Sequence, residues 1–169
     1  MTEQTEQNHR AGKVRTERLQ AKDLRILTEL FDYNDAEQMI RECARDISDR
    51  KADIFVMYDR DTLIGELHVL YESDNENYAV RNKRAYLYAF RVRREYQNKG
   101  YGTRLLRAVL ADLHEEGYSE FTIGAEDDNE KALHIYHSMG FNELLLRRRE
   151  EYQGDVYEYN LFFKRQTSV

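Results

Sequence analysis

The chain has 169 residues, enough for one domain with a sizeable buried core. A net charge of -6 argues against a general nucleic-acid binder, since gripping phosphates needs a basic face, and it suits a cationic substrate. The single cysteine, Cys43, excludes a disulfide framework within the chain and a structural zinc site. No apolar run approaches the ~20 residues of a membrane span, and no signal-peptide pattern opens the chain. The expected setting is therefore the cytoplasm, with no membrane partner.

Residues 1–13 are polar and aperiodic and read as a tail; residues 14–169 read as one domain without repeat or linker. A first strand is expected over 14–19. Leu24, Leu27 and Phe31 predict a helix over 21–31, and the stripe Met39, Ile40, Cys43, Ala44, Ile47 predicts another over 35–47, with Cys43 as a packing residue. The period then changes. A strand over 54–58, a turn at Asp59-Arg60-Asp61 and a return strand over 63–71 make a hairpin. After a polar loop over 72–84, the strand over 86–92 is apolar on both faces except at Arg91, which belongs in the middle of a covered sheet.

The helix over 101–116 carries rows of Leu105, Val109, Leu113 and of Leu106, Leu110, with Gly117 to end it. A short strand over 121–125 precedes a helix over 129–139, with Asn129 as N-cap, Ala132, Ile135, Tyr136 and Met139 on one face, and Gly140 as stop. Strands over 141–148 and 156–164 close the chain around Gln153-Gly154-Asp155. This order predicts an α+β fold: a mixed sheet with helices on both faces. Its edge strands could support a homodimer.

The stretch Gln97-Asn98-Lys99-Gly100-Tyr101-Gly102-Thr103 lies between a buried strand and the strongest helix. The first turn of a helix has unpaired N–H groups at the positive end of the dipole. A loop wrapped over that end can aim several amides at an anion. Gly100 and Gly102 allow close approach and positive φ, and Lys99 adds a charge. Neither the Walker pattern nor Gly-x-Gly-x-x-Gly is present.

Phe90-Arg91-Val92, Glu95 to Gly102, Asn129 with Tyr136 seven residues on, and Ser138-Met139-Gly140-Phe141 together resemble the GNAT superfamily of N-acetyltransferases. Its Gln/Arg-x-x-Gly-x-Gly/Ala signature matches at Gln97, Gly100 and Gly102; Arg94 stands where the family often has Pro. The likeness runs over about 54–164. It implies a mostly antiparallel sheet of about six to seven strands, with one parallel pair splayed by a bulge. It also implies acetyl-CoA as co-substrate. The pyrophosphate would lie on the 97–103 loop, the pantetheine arm along the backbone of Phe90, Arg91 and Val92, and Asn129 would bond the amide arm.

Direct attack of an amine on the thioester needs a neutral amine, a donor for the developing oxyanion and a proton for the sulfur. The resemblance implies Tyr136 as the general acid. For the base, Glu66 is the candidate; it and His68 share an expected strand face with Ile64 and Leu70. Glu126 and water are alternatives. Gly124 stands where some family members carry a glutamate. His134 and His137 read as surface or packing residues, and no cluster has metal spacing. The expected function is acetyl transfer to the primary amine of a small molecule. The alternatives are a protein or peptide N-acetyltransferase and a non-catalytic CoA-sensing module. An acidic closed cleft would favour the first and an open groove the second.

Overall fold

The structure is a computed structural model that describes residues 13–166. The expected tail over 1–13 lies, apart from Lys13, outside the described residues. Apolar alternation yields β1 (Val14–Arg18), β2 (Ala52–Asp59), β3 (Thr62–Leu70), β4 (Arg84–Val92), β5 (Glu120–Ala125), β6 (Glu143–Tyr152) and β7 (Asp155–Arg165). The 3.6-residue rows yield α1 (Ala36–Ser48), α2 (Tyr101–Glu115) and α3 (Glu130–Ser138). The strands form one sheet in the order β1-β2-β3-β4-β5-β7-β6. Only β4 and β5 run parallel; the other named pairs are antiparallel.

Each face of the sheet has its own core. On one, α2 buries Leu105, Leu106, Val109, Leu110 and Leu113 against Phe55, Met57, Val69 and Leu87, with Tyr136 of α3 and Phe141 continuing the layer. Each such side chain contributes about 2 kcal/mol relative to exposure. On the other, Leu24, Leu27 and Met39 pack on Ile54, Val56, Tyr58 and Leu63. Gly117, with φ 103°, ends α2 as expected.

The sequence reading needs two corrections. The segment Ala21–Glu29 is a 3-10 helix, closed by Asp23 N to Gln20 O (2.9 Å) and Leu30 N to Leu27 O (3.1 Å). Leu24 and Leu27 are three residues apart, so a three-residue turn puts both into the core, and Phe31 falls beyond the helix. Ile64 does not share the face of Glu66. Tyr58 pairs with Leu63 but Met57 with Gly65, and this bulge turns Ile64 into the α2-side core while Leu63 enters the opposite one.

A second bulge opens the middle of the sheet. Glu66 pairs with Arg91 but His68 with Tyr88, so β4 carries one extra residue. Ala89 takes up the difference at φ 49°. Pairing between β4 and β5 runs only from Arg84/Glu120 to Leu87/Ile123, although both strands continue. The bulge bends β4 away and leaves a gap between the two strands.

Candidate active site

The loop leaving β4 forms a short 3-10 turn, Arg94–Tyr96, and then reverses through Asn98 (φ 60°) and Gly100 (φ 86°), the N-cap of α2. The first backbone bond of α2 is Arg104 N to Gly100 O (3.1 Å), so the amides of Tyr101, Gly102 and Thr103 precede it. A Cβ on Gly100 would meet nothing within 4 Å, so the space beside the N-cap is open. Gly102 has a packing role as well. A Cβ there would lie 3.3 Å from Phe90 Cζ and 3.5 Å from Val92 Cγ2, so Gly102 lets α2 settle on β4. Gln97 Nε2 donates to Val92 O (2.9 Å), and Lys99 Nζ donates to Glu95 O (2.9 Å). These bonds fold the loop back over the helix start.

A cavity of about 540 Å³ runs through the gap between β4 and β5. Its inner half is lined by Ala89, Phe90 and Arg91 of β4, Ile123 to Ala125 of β5, Asn129 and Tyr136. Beyond Leu87, β4 pairs with no residue of β5, which suits an extended chain carrying amides, such as pantetheine. The N-cap of α3 is Asn129, whose Oδ1 accepts from Ala132 N (3.2 Å). Its amide NH2 is left to donate to a ligand.

Tyr136 is 4% exposed, with its ring between Phe90 and Phe141 at centroid distances of 6.2 Å. Tyr136 lines the cavity, and its hydroxyl has no hydrogen-bond partner among the described residues. Burial alone raises its pKa well above the ordinary phenol range, so it stays a proton donor.

Glu66 is fully buried and does not line the cavity. Arg91 Nη1 donates to its Oε1 (3.0 Å), and His68 Nε2 lies 2.7 Å from its Oε2. His68 does line the cavity, so a proton reaches Glu66 only through a neighbour. The Arg91 side chain points away from the cofactor half of the cavity. Its guanidinium covers the Phe31 ring at 3.9 Å and donates to Tyr33 Oη (3.2 Å). Burial, followed by the Glu66 charge, pushes the Tyr33 hydroxyl up to about 12. Glu126 reaches the cavity but is exposed. At Gly124 the Tyr159 ring comes within 2.9 Å of where a Cβ would be, so this ring fills the place of a side chain. His137 Nδ1 pairs with Phe141 O (2.8 Å), a packing role, and His134 is exposed and away from the cavity.

The outer half of the cavity adds residues that the sequence reading missed. One face of α1 supplies Met39, Glu42, Cys43 and Asp46, and the β6–β7 hairpin supplies Glu150, Tyr152, Tyr157 and Tyr159. Glu42 and Asp46 flank Cys43 at a four-residue spacing, and these carboxylates beside an apolar stripe were the readable sign. Burial raises the pKa of Asp46 and pushes the Cys43 thiol up to about 11. Among the described residues no group of three His, Cys, Asp or Glu could hold a metal ion, and no helix is long and apolar enough to cross a membrane.

A family model described as "Acetyltransferase (GNAT) family" matches residues 18–141, well over half of the chain. The [Ribosomal protein bS18]-alanine N-acetyltransferase of Escherichia coli K12 is 33% identical over 64 residues. That match spans 38% of this chain and only 43% of the relative. The solved ribosomal-protein-S18-alanine N-acetyltransferase of Escherichia coli shares the fold at a TM-score of 0.69 and 17% identity, over 92% of this chain and 96% of that one. A mutant of the spermidine N-acetyltransferase SpeG of Vibrio cholerae does so at 0.69 and 20%, over 92% and 95%. yncA of Salmonella typhimurium, solved with its cofactor acetyl-CoA, does so at 0.68 and 14%, over 93% and 96%.

Proposed function

The chain belongs to the GNAT acetyltransferase family, whose co-substrate is acetyl-CoA, and from that premise we propose that it acetylates the primary amine of a small free molecule. The observation that carries this reading is the cavity that joins the gap in the sheet to a chamber walled by Glu42, Asp46, Glu150 and tyrosines. Carboxylates at the outer end attract a cation, and rings around it favour an ammonium or its alkyl chain.

Acetyl-CoA supplies the acetyl group as an activated thioester. The amides that open α2, with the helix dipole behind them, bind its diphosphate, and Lys99 adds charge. The β5-facing side of the main chain of 89–92, which pairs with no residue of β5, and the NH2 of Asn129 hold its amide arm. Val92 O is engaged by Gln97, so the grip at that residue falls to the other main-chain atoms. Tyr136 holds a proton at Oη for the departing sulfur. Glu66 works through His68. With Glu66 accepting from Nε2, Nδ1 is the ring nitrogen able to take a proton from the amine, directly or through water. Arg91 keeps Glu66 in position.

A second reading, acceptance of a polypeptide N-terminus, is favoured by the local likeness to the bS18-alanine enzyme. Thiol release from acetyl-CoA across a panel of free primary amines and N-terminal peptides separates the two, with the product identified by mass. Turnover confined to peptides would sink the small-amine reading.

A further inference from the structure

The outer chamber is bridged by a contact between two distant parts of the chain. Gln153, in the turn between β6 and β7, accepts at Oε1 from Asp35 N (2.9 Å) and donates from Nε2 to Asp35 O (2.9 Å). Its own carbonyl accepts from Asn34 Nδ2 (2.6 Å). One residue earlier, the Tyr152 hydroxyl donates to Glu42 Oε2 (2.9 Å). Asp35 is the N-cap of α1, so the hairpin is fastened along the start of that helix. Tyr33, Cys43 and Asp46 line the cavity on one side of this bridge, and Tyr157 and Tyr159 line it on the other.

Gln153 makes this contact from an uncomfortable backbone. Its φ is 50° and that of Gly154 is 86°, a two-residue turn with both residues left-handed. Asn or Gly normally fills such a position; a longer side chain costs about 1–2 kcal/mol there. Asn would relieve the strain, but its amide is one methylene shorter. A strained residue whose side chain makes a paired contact across the chain points to a constraint other than the turn itself.

We propose that Gln153 is a specificity-determining residue of the acceptor site. Its hold on Asp35 keeps the hairpin against α1, so the chamber accepts a free amine that it can enclose. It rejects an amine carried on polypeptide, which needs an open groove for the chain behind it. This inference rests on the small-amine reading above.

The test compares Gln153→Asn and Gln153→Ala with the wild type by two readouts. The first is the ratio of kcat/KM for a free alkylamine to that for a peptide bearing a lysine. The second is the labelling rate of Cys43, the sole cysteine, by a bulky maleimide and by iodoacetamide. In both variants the ratio is expected to fall about tenfold or more. Maleimide labelling should quicken by about tenfold as the chamber opens, while iodoacetamide labelling and the acetyl-CoA Kd stay within about twofold. Asn suits this backbone better than Gln, so a folding defect cannot produce its effect. Unchanged labelling in Gln153→Asn overturns the latch and leaves the acceptor reading standing. A ratio that holds while labelling changes, or a wild type that acetylates peptides as fast as free amines, overturns the selectivity. A wild type that acetylates no free amine sinks the acceptor reading, whatever the labelling shows.

Discussion

Gly100 and Gly154 form a matched pair for testing the diphosphate grip. Both have φ 86°, and a Cβ added to either would meet nothing within 4 Å. Alanine at either site should therefore lower stability by a similar amount, about 1–2 kcal/mol, from the left-handed backbone alone. The two differ in what lies in front of them. Gly100 borders the first-turn amides of α2, and Gly154 lies at the tip of the β6–β7 hairpin. In the proposed grip, a methyl on Gly100 stands in the approach of the diphosphate to these amides. Losing one hydrogen bond to a charged group costs about 1.5–3 kcal/mol. At 1.4 kcal/mol per tenfold, Gly100→Ala should weaken CoA binding by about 10- to 100-fold. Gly154→Ala should leave Kd within about twofold, because it removes no such bond. Titration calorimetry with CoA gives the affinities, and urea unfolding shows that the stability losses match. Equal CoA affinity in the two variants would refute the cradle.

Tyr136→Phe should lower kcat by about a hundredfold with CoA affinity unchanged. Urea unfolding should show no loss of stability, because the hydroxyl that is removed has no partner among the described residues. Wild-type turnover in that variant would remove Tyr136 as the acid. Glu66→Gln keeps the shape but removes the charge opposite Arg91 and the acceptor for His68. It should cost about 1–3 kcal/mol in urea unfolding and lower kcat more than it changes KM for acetyl-CoA. Burial raises the pKa of Tyr33, Tyr71, Tyr86, Tyr88 and Tyr136. Above about pH 10 the unfolded chain therefore releases phenolic protons that the folded chain keeps, and stability falls as pH rises. Below that pH the contribution is complete. Melting temperature between about pH 8 and 11, followed alongside phenolate absorbance, should fall as those phenols remain untitrated until unfolding.

Much of this arrangement was legible in the sequence, because it depends on local chemistry. The leucine rows of α2, the Asn129 cap, the glycines of the 97–103 loop and the family pattern around them all act within a few residues. What was not legible depends on single-residue insertions or on distant contacts. The bulges at Ile64 and Ala89 leave no mark in composition, yet one reverses a side chain and the other opens the sheet. That reversal separated Ile64 from Glu66. Glu66 was a candidate base acting directly or through water, and only the fold reveals that Arg91 and His68 lie against its two oxygens. Arg91 was read for its backbone alone, whereas its side chain ties Phe31 and Tyr33 to β4. Gln153 looked like ordinary turn filling because Asp35 is 118 residues away.

The most direct test of acetyl transfer without a protein-bound intermediate is a quenched single-turnover reaction read by intact mass. Protein mixed with stoichiometric acetyl-CoA and no amine should remain unacetylated and release no thiol. Adding a small primary amine should then liberate CoA and acetylated amine together. An acetylated protein that hands its group to the amine, or CoA that stays acetylated in the presence of every amine tried, would contradict the mechanism.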